Sequence, residues 1–153
     1  MEFNIVALGG TFDIIHVGHL ALLQKGFSIS KKVIIGLTSD EFATKNSKNL
    51  INDFQKRRAK LEFEINEKFP TSEFEISKLE NDFGPAVIEG DVEALVVSDE
   101  TKSKGDLLNQ LRKESDLSPV QIIIVPMILA KDGNRISSSR IRNSEIDTEG
   151  NIR

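Results

Sequence analysis

The sequence contains no cysteine, which excludes disulfides, thiolate metal sites and a thiol nucleophile. It has only two histidines, His16 and His19, and without a third histidine or a cysteine a zinc set cannot be completed. No apolar run approaches the ~20 residues needed to span a bilayer, so no membrane partner is expected. The start enters a strand pattern directly, without a signal-peptide layout, and a cytoplasmic location is the expectation. Positive charge is not in excess: 20 basic against 24 acidic residues give a net charge of −4. Broad nucleic-acid binding by charge is therefore not expected, although a local basic patch can still hold a small anion. Internal repeats, low-complexity segments and linkers are also missing.

What is present suits one domain spanning residues 1–153. Hydrophobic content of 39% and charged content of 29% are ordinary for a globular chain with a core of its own. The organising stretch is residues 4–19. Residues 5–8 read as a buried strand, Gly9 and Gly10 as a tight turn, and a helix is expected to start near Gly18 and run through Leu20, Leu22 and Leu23. A strand that enters a helix through glycines gathers main-chain N–H groups and the positive helix end at one point, which suits phosphate. Both histidines stand in this turn. The turn lacks the Gly-Lys-Ser/Thr ending of the Walker loop and the three spaced glycines of the dinucleotide fingerprint.

Four further β-rich segments follow, at residues 32–37, 73–76, 94–98 and 120–125, the second alternating like an edge strand. Helical patterns lie between them. Phe54, Leu61 and Ile65 mark a long polar helix. A short helix is expected at residues 85–89, opened by Pro85. Leu107, Leu108 and Leu111 mark another, ending near Ser115, and a last one starts at Ser137 to Ser139. Residues 46–52 and 99–105 read as polar loops, and residues 145–153 as a mobile tail. Strands that alternate with helices imply parallel pairing through right-handed crossovers. The expectation is an α/β, Rossmann-like, doubly wound five-stranded parallel sheet of order 3-2-1-4-5 with helices on both faces. Such sheets bind ligands at the strand carboxyl ends beside the switch point.

The candidate site follows from that placement. Gly9, Gly10 and Gly18 leave room for a phosphate or nucleotide close to the backbone. His19 and Thr11 are candidate donors to a phosphate oxygen as charge develops. Asp13 reads as a brace for the turn. Ser137, Ser138 and Ser139 open a helix, and with the charge of Arg140 they suit a triphosphate; Arg142 stands beside them. Lys45, Lys48, Arg57 and Arg58 form the densest basic region, for which a solvated charged face is an equally good reading. Ser98, Glu100 and Thr101 follow a buried strand on its ligand-binding side, and Thr38 and Asp40 do so after the second strand. The phenylalanines at 54, 63, 69, 74 and 83 read as core.

Gly9-Gly10-Thr11-Phe12-Asp13 followed by His16-Val17-Gly18-His19 resembles the nucleotidyltransferase superfamily, which shares this His-x-Gly-His element with class I aminoacyl-tRNA synthetases. Ile136-Ser137-Ser138-Ser139-Arg140-Ile141-Arg142 narrows the resemblance to archaeal-type phosphopantetheine adenylyltransferase. So do residues 96–101, residues 108–112, and the ending Ser144-Glu145-Ile146-Asp147 with Gly150. The resemblance implies transfer of AMP from ATP to 4′-phosphopantetheine, giving dephospho-coenzyme A and pyrophosphate. It implies magnesium carried with ATP, dephospho-coenzyme A or coenzyme A as product or inhibitor, and a monomer. By resemblance, Phe12 and His16 join the nucleotide-binding turn, Ser98 and Glu100 border the adenine and ribose, and Arg140 binds the β- and γ-phosphates. A lysine after the second strand, Lys45 or Lys48, approaches the reacting phosphates, and Arg57 falls on an arginine position of the family, as an acceptor-phosphate ligand. Nicotinamide mononucleotide, FMN and glycerol 3-phosphate remain alternative acceptors, and a non-catalytic nucleotide-binding domain is the reading from another class.

Overall fold

The computed structural model describes residues 2–45, 50–84, 90–99, 101–126, 128–134, 136, 140–141 and 144–152. Its element order is β1 (Phe3–Gly10), α1 (Val17–Ile29), β2 (Ser30–Thr38), α2 (Asp40–Lys45), α3 (Phe54–Lys68), β3 (Glu73–Leu79), β4 (Ala94–Ser98), α4 (Ser103–Glu114) and β5 (Gln121–Val125). The five strands form one sheet of order β3-β2-β1-β4-β5, and every pairing is parallel. The expected order is therefore observed. β1, β2 and β3 run further than their apolar centres suggested, while β4 keeps the expected bounds and β5 starts one residue later: β1 and β2 pair from Phe3 against Ser30 to Gly10 against Leu37, because the ladder needs only main-chain groups.

Alternation along the central strands sorts the core into two layers. Val6, Leu8, Val33, Ile35 and Val96 face one side with Leu23 of α1 and Leu61 and Ile65 of α3. Ala7, Ile34, Leu95 and Val97 face the other with Leu108 of α4 and Val120. Burial on both faces explains why these strands read as unbroken apolar runs. β3 lies at an edge and alternates exposed with half-buried residues over most of its length. Helix α2 falls where the sequence suggested only polar positions after β2; its six residues are too few to show a helical period. The helices expected at residues 85–89 and from Ser137 lie outside the described residues, apart from a helical stub at 140–141.

The ending expected to be a mobile tail is packed against the domain. Ile146 is fully buried with Ala130 and Ile136, and Val17 and Ile141 pack on them. The Asp147 carboxylate accepts the N–H groups of Glu149 and Asn151. The Thr148 carbonyl accepts the Val17 N–H at 3.1 Å, in the first turn of α1. The C-terminal segment thus braces the helix start that bears the two histidines. Ile146→Ala should cost about 2–5 kcal/mol of stability, the usual cost of hollowing a closed site. Urea denaturation monitored by circular dichroism measures this, and an unchanged midpoint would show the segment to be loosely held.

Candidate functional site

The site begins where β1 runs out. Thr38 of β2 donates its hydroxyl to the Gly10 carbonyl at 3.2 Å, tying the two strand ends together. The chain then reverses through Phe12, whose φ of 51° is left-handed. That conformation costs a non-glycine residue roughly 1–2 kcal/mol. The Phe12 ring is 1% exposed, and burying a phenylalanine gains about 1.5–3 kcal/mol, so packing outweighs the strain. A Cβ on Gly10 would lie 3.0 Å from that ring, which is why a glycine precedes it. Asp13 closes the turn from behind, its carboxylate accepting the N–H groups of Ile51 and Asn52 at 3.0 and 2.9 Å. This is the bracing role expected of it.

Helix α1 starts with a reciprocal cap made by the two histidines. The Gly18 N–H donates to His16 Nδ1 at 3.1 Å, and the His16 N–H donates to His19 Nδ1 at 3.2 Å. The rings stack with centroids 3.8 Å apart, and Phe12 packs against His19 at 4.7 Å. An Nδ1 that accepts a hydrogen bond carries no proton, so each neutral ring has its N–H on Nε2. Burial, and then the neighbouring His16, lower the His19 pKa from 6.5 to about 3. His19 is therefore neutral at physiological pH, an Nε2–H donor held in a fixed orientation.

This geometry revises two expectations. The space over Gly18 is occupied by the His16 imidazole: a Cβ there would lie 2.9 Å from Cε1 and 3.0 Å from Nδ1. The glycine makes room for the cap, where the sequence suggested room for a nucleotide. Two main-chain donors of the first turn, Val17 and Gly18, are already taken by Thr148 and His16. An anion at this helix end would meet imidazole N–H groups and the helix dipole before free backbone amides.

The turn opens onto a cavity of about 360 Å³. Gly9, Gly10, Thr11, Phe12, His16, Gly18 and His19 line one part of it; Ser98 and Thr101 line the wall at the end of β4. Ser98 and Thr101 are joined by a hydroxyl contact of 3.2 Å and by the Ser98 N–H donating to the Thr101 hydroxyl at 3.1 Å. Ile34, Phe42, Leu50, Leu79 and Phe83 make a further, apolar part. Lys104, in the first turn of α4, also lines the cavity. The sequence reading passed over it; its one signal was a lysine opening the helix that follows a buried strand.

The other basic candidates lie elsewhere. Lys45 is exposed at the end of α2 and is not part of the cavity wall. Arg57, expected on the acceptor phosphate, is 0% exposed, and its guanidinium is bonded to Thr11, Asn52 and Asp40. No phosphate reaches it in this arrangement, and the correction follows from burial: its helix turns it inward. Arg140 is paired with Asp132, and its Nε lies 3.5 Å from Glu145; it too is not part of the cavity wall, to which Ile136 contributes. The hydrogen bond from Arg140 holds the Asp132 carboxyl below its usual range and raises Arg140 in turn. Lys48, Glu100, Ser137, Ser138, Ser139 and Arg142 lie outside the described residues.

Two outcomes follow from the cap. Gly18→Ala should push the His16 ring aside and lose the cap, at a cost of about 1–2 kcal/mol in urea denaturation. The lowered His19 pKa also couples to stability. Between pH 6.5 and about 3 the unfolded chain protonates His19 while the folded chain does not, so stability falls as pH drops through this window. His19→Gln should flatten that slope, measured as the urea midpoint against pH; parallel slopes would contradict a neutral, capped His19.

Residues 7–144 match the cytidylyltransferase-like family. The chain is 40% identical over 151 residues to a phosphopantetheine adenylyltransferase of Methanosarcina acetivorans, covering 97% of this chain and 95% of that one. It is 41% identical over 152 residues to a phosphopantetheine adenylyltransferase of Pyrococcus abyssi, covering 99% and 96%. A crystal structure of a protein of unknown function from Archaeoglobus fulgidus superposes with a TM-score of 0.71 at 31% identity, over 80% of this chain and 88% of that one. The chain belongs to the cytidylyltransferase-like family and groups within it with the archaeal phosphopantetheine adenylyltransferases.

Proposed function

We propose that the protein transfers AMP from ATP to the phosphate of 4′-phosphopantetheine, forming dephospho-coenzyme A and pyrophosphate. The observation that carries this reading is the pair of mutually fixed histidines in the cavity wall, His19 held neutral, in a chain so similar along its length to phosphopantetheine adenylyltransferases.

An acceptor phosphate oxygen attacks the α-phosphorus of ATP. The new bond forms as the bond to the bridging oxygen of the β-phosphate breaks, and pyrophosphate leaves. The acceptor is already an anion, so a general base has no task; catalysis is positioning and charge stabilisation. His19 Nε2–H and Thr11 serve the α-phosphate oxygens, and neutral imidazole suits a donor that must not hold the product as an ion pair. His16, Arg140 and the serines at 137–139 serve the remaining phosphates, with Lys104 added from the cavity wall. A lysine at 45 or 48 serves the acceptor phosphate. The apolar part of the cavity, with Phe42, Leu79 and Phe83, offers the pantetheine arm a surface to lie on. Among the described residues no cluster of three or more His, Asp or Glu is gathered to hold a metal, and magnesium would enter as part of the nucleotide substrate. The reading extends to a cytoplasmic monomer, inhibited by dephospho-coenzyme A or coenzyme A.

Incubation with ATP, magnesium and 4′-phosphopantetheine should yield dephospho-coenzyme A by mass spectrometry and pyrophosphate in equal amount. Nicotinamide mononucleotide, FMN and glycerol 3-phosphate should release none; turnover on one of them alone would reassign the acceptor. ATP binding without turnover on any acceptor would make the domain non-catalytic. His19→Ala should lower kcat about 10²–10³-fold, as for loss of one transition-state donor. An unchanged kcat would remove His19 from that role.

A further inference from the structure

A fully buried arginine has no part in the transfer scheme above. Arg57 donates through Nε to the Asn52 carbonyl at 3.1 Å, through Nη1 to the Thr11 carbonyl at 2.8 Å and through Nη2 to Asp40 Oδ1 at 2.8 Å. These acceptors belong to three separate segments: the turn after β1, the start of α2, and the chain entering α3. Each segment is tied again. The second oxygen of Asp40 accepts the Phe54 N–H at 3.2 Å. Asn52 donates its side-chain amide to the Asp13 carbonyl at 2.9 Å, while its own N–H is held by the Asp13 carboxylate at 2.9 Å.

A planar guanidinium fits three acceptors in fixed directions, and a lysine at the same place has neither that geometry nor that reach. A buried cation is costly to leave unpaired. Asp40 is its carboxylate partner. Partial burial raises the Asp40 pKa, but hydrogen bonds from Arg57 and the Phe54 N–H outweigh it and hold the carboxyl below its usual range. The side chain of Asp40 is nevertheless 42% exposed, so this end of the network borders solvent. Helix α2, which begins with Asp40, ends with Lys45. One guanidinium thus joins the turn of Thr11 to the helix that leads to Lys45.

We propose that Arg57 is a positioning residue for the transfer step: paired with Asp40, it sets the turn carrying Thr11 against the helix ending at Lys45. Through Thr11, and through the helix leading to the lysines at 45 and 48, it places one α-phosphate donor relative to the acceptor phosphate. The assignment rests on the adenylyl-transfer reading. It differs from a simple structural role, which would change stability and leave kcat alone, and from a ligand role, which would raise KM. Misplacement by about 1 Å costs on the order of 10²-fold in rate, whereas an interaction shared by ground and transition states appears in KM.

The test is steady-state kinetics of the full chain with ATP, magnesium and 4′-phosphopantetheine, alongside thermal melting. Arg57→Lys should lower kcat roughly 10–10²-fold, with KM for ATP within about twofold. Asp40→Ala should lower kcat in the same direction; it should also lower the melting temperature, because the buried guanidinium loses its carboxylate. The double variant should be no slower than Arg57→Lys alone, because both changes break one contact. If Arg57→Lys does not fold, Asp40→Ala decides. A fall in melting temperature at wild-type kcat overturns the proposal in favour of a structural role. A raised KM for 4′-phosphopantetheine at unchanged kcat overturns it in favour of a ligand role. A wild-type protein that forms no dephospho-coenzyme A overturns the adenylyl-transfer reading and this proposal together; wild-type turnover with unaffected variants overturns the Arg57 assignment alone.

Discussion

The exchange of hydrogen bonds between His16 and His19 at the head of α1 ties fold and chemistry together. N-caps are usually short oxygen side chains, worth about 1 kcal/mol each. An imidazole does the same work only while Nδ1 is unprotonated. Protonation of His19 would set an Nδ1–H against the His16 N–H, so the cap itself opposes charge on the ring. Burial and the neighbouring imidazole act in the same direction. The form that caps the helix is therefore the form that carries its proton on Nε2, on a ring that lines the cavity. The cap and the proposed donor role of His19 call for one and the same protonation state.

That cap holds its place because the sheet places it. β1 sits between β2 and β4, where strand order reverses, and the turn after β1 opens into the resulting crevice. Both faces of the central strands are buried, against α1 and α3 on one side and α4 on the other, so a register slip by one residue would expose an entire layer. The ends of β1, β2 and β4 are thereby fixed relative to each other, and Gly9, Thr38 and Ser98 meet in one cavity. The C-terminal segment adds a third fastening from outside the sheet, through Thr148 to Val17 and through Ile146 to the cluster beneath it.

The sheet was legible because burial on both faces writes itself as short apolar runs, and because alternation with helices leaves few topologies. The glycine turn and its histidines were legible as local chemistry at one point in the chain. What escaped depends on direction or distance. Helix α2 is too short to show a period. Arg57 stands in the charged stretch Lys56-Arg57-Arg58, yet Arg58 is exposed and pairs with Glu62 one turn on, while Arg57 is fully buried. Composition cannot tell these neighbours apart; the helix phase does, since Arg57 shares its face with Phe54, Leu61 and Ile65. Gly18 reads in the sequence as room for a nucleotide, but what fills that room, the ring of a side chain two residues earlier, is there only once the cap has formed. The ending looked like a loose tail because it holds only two apolar side chains among polar ones, of which Ile146 is buried and Ile152 exposed, and its other tie, from Thr148 to Val17, is a main-chain bond.

Arg57 and Arg140, both outside the cavity wall, differ in what it costs to move them. Arg140 lies near the surface, and its pairing with Asp132 and Glu145 exchanges solvent-screened contacts, which contribute little to stability. On the proposed reading a triphosphate, with more negative charge than these carboxylates, would compete with them for Arg140. Arg57 is not open to such competition. Extracting it breaks three hydrogen bonds at once and strands the carbonyls of Thr11 and Asn52, each costing about 1–3 kcal/mol if left unpaired. The same residue type therefore serves two ends in this protein. Near the surface its charge is matched by the carboxylates of Asp132 and Glu145. In the interior its shape is committed to the backbone, and its influence reaches the site only through the residues that it holds.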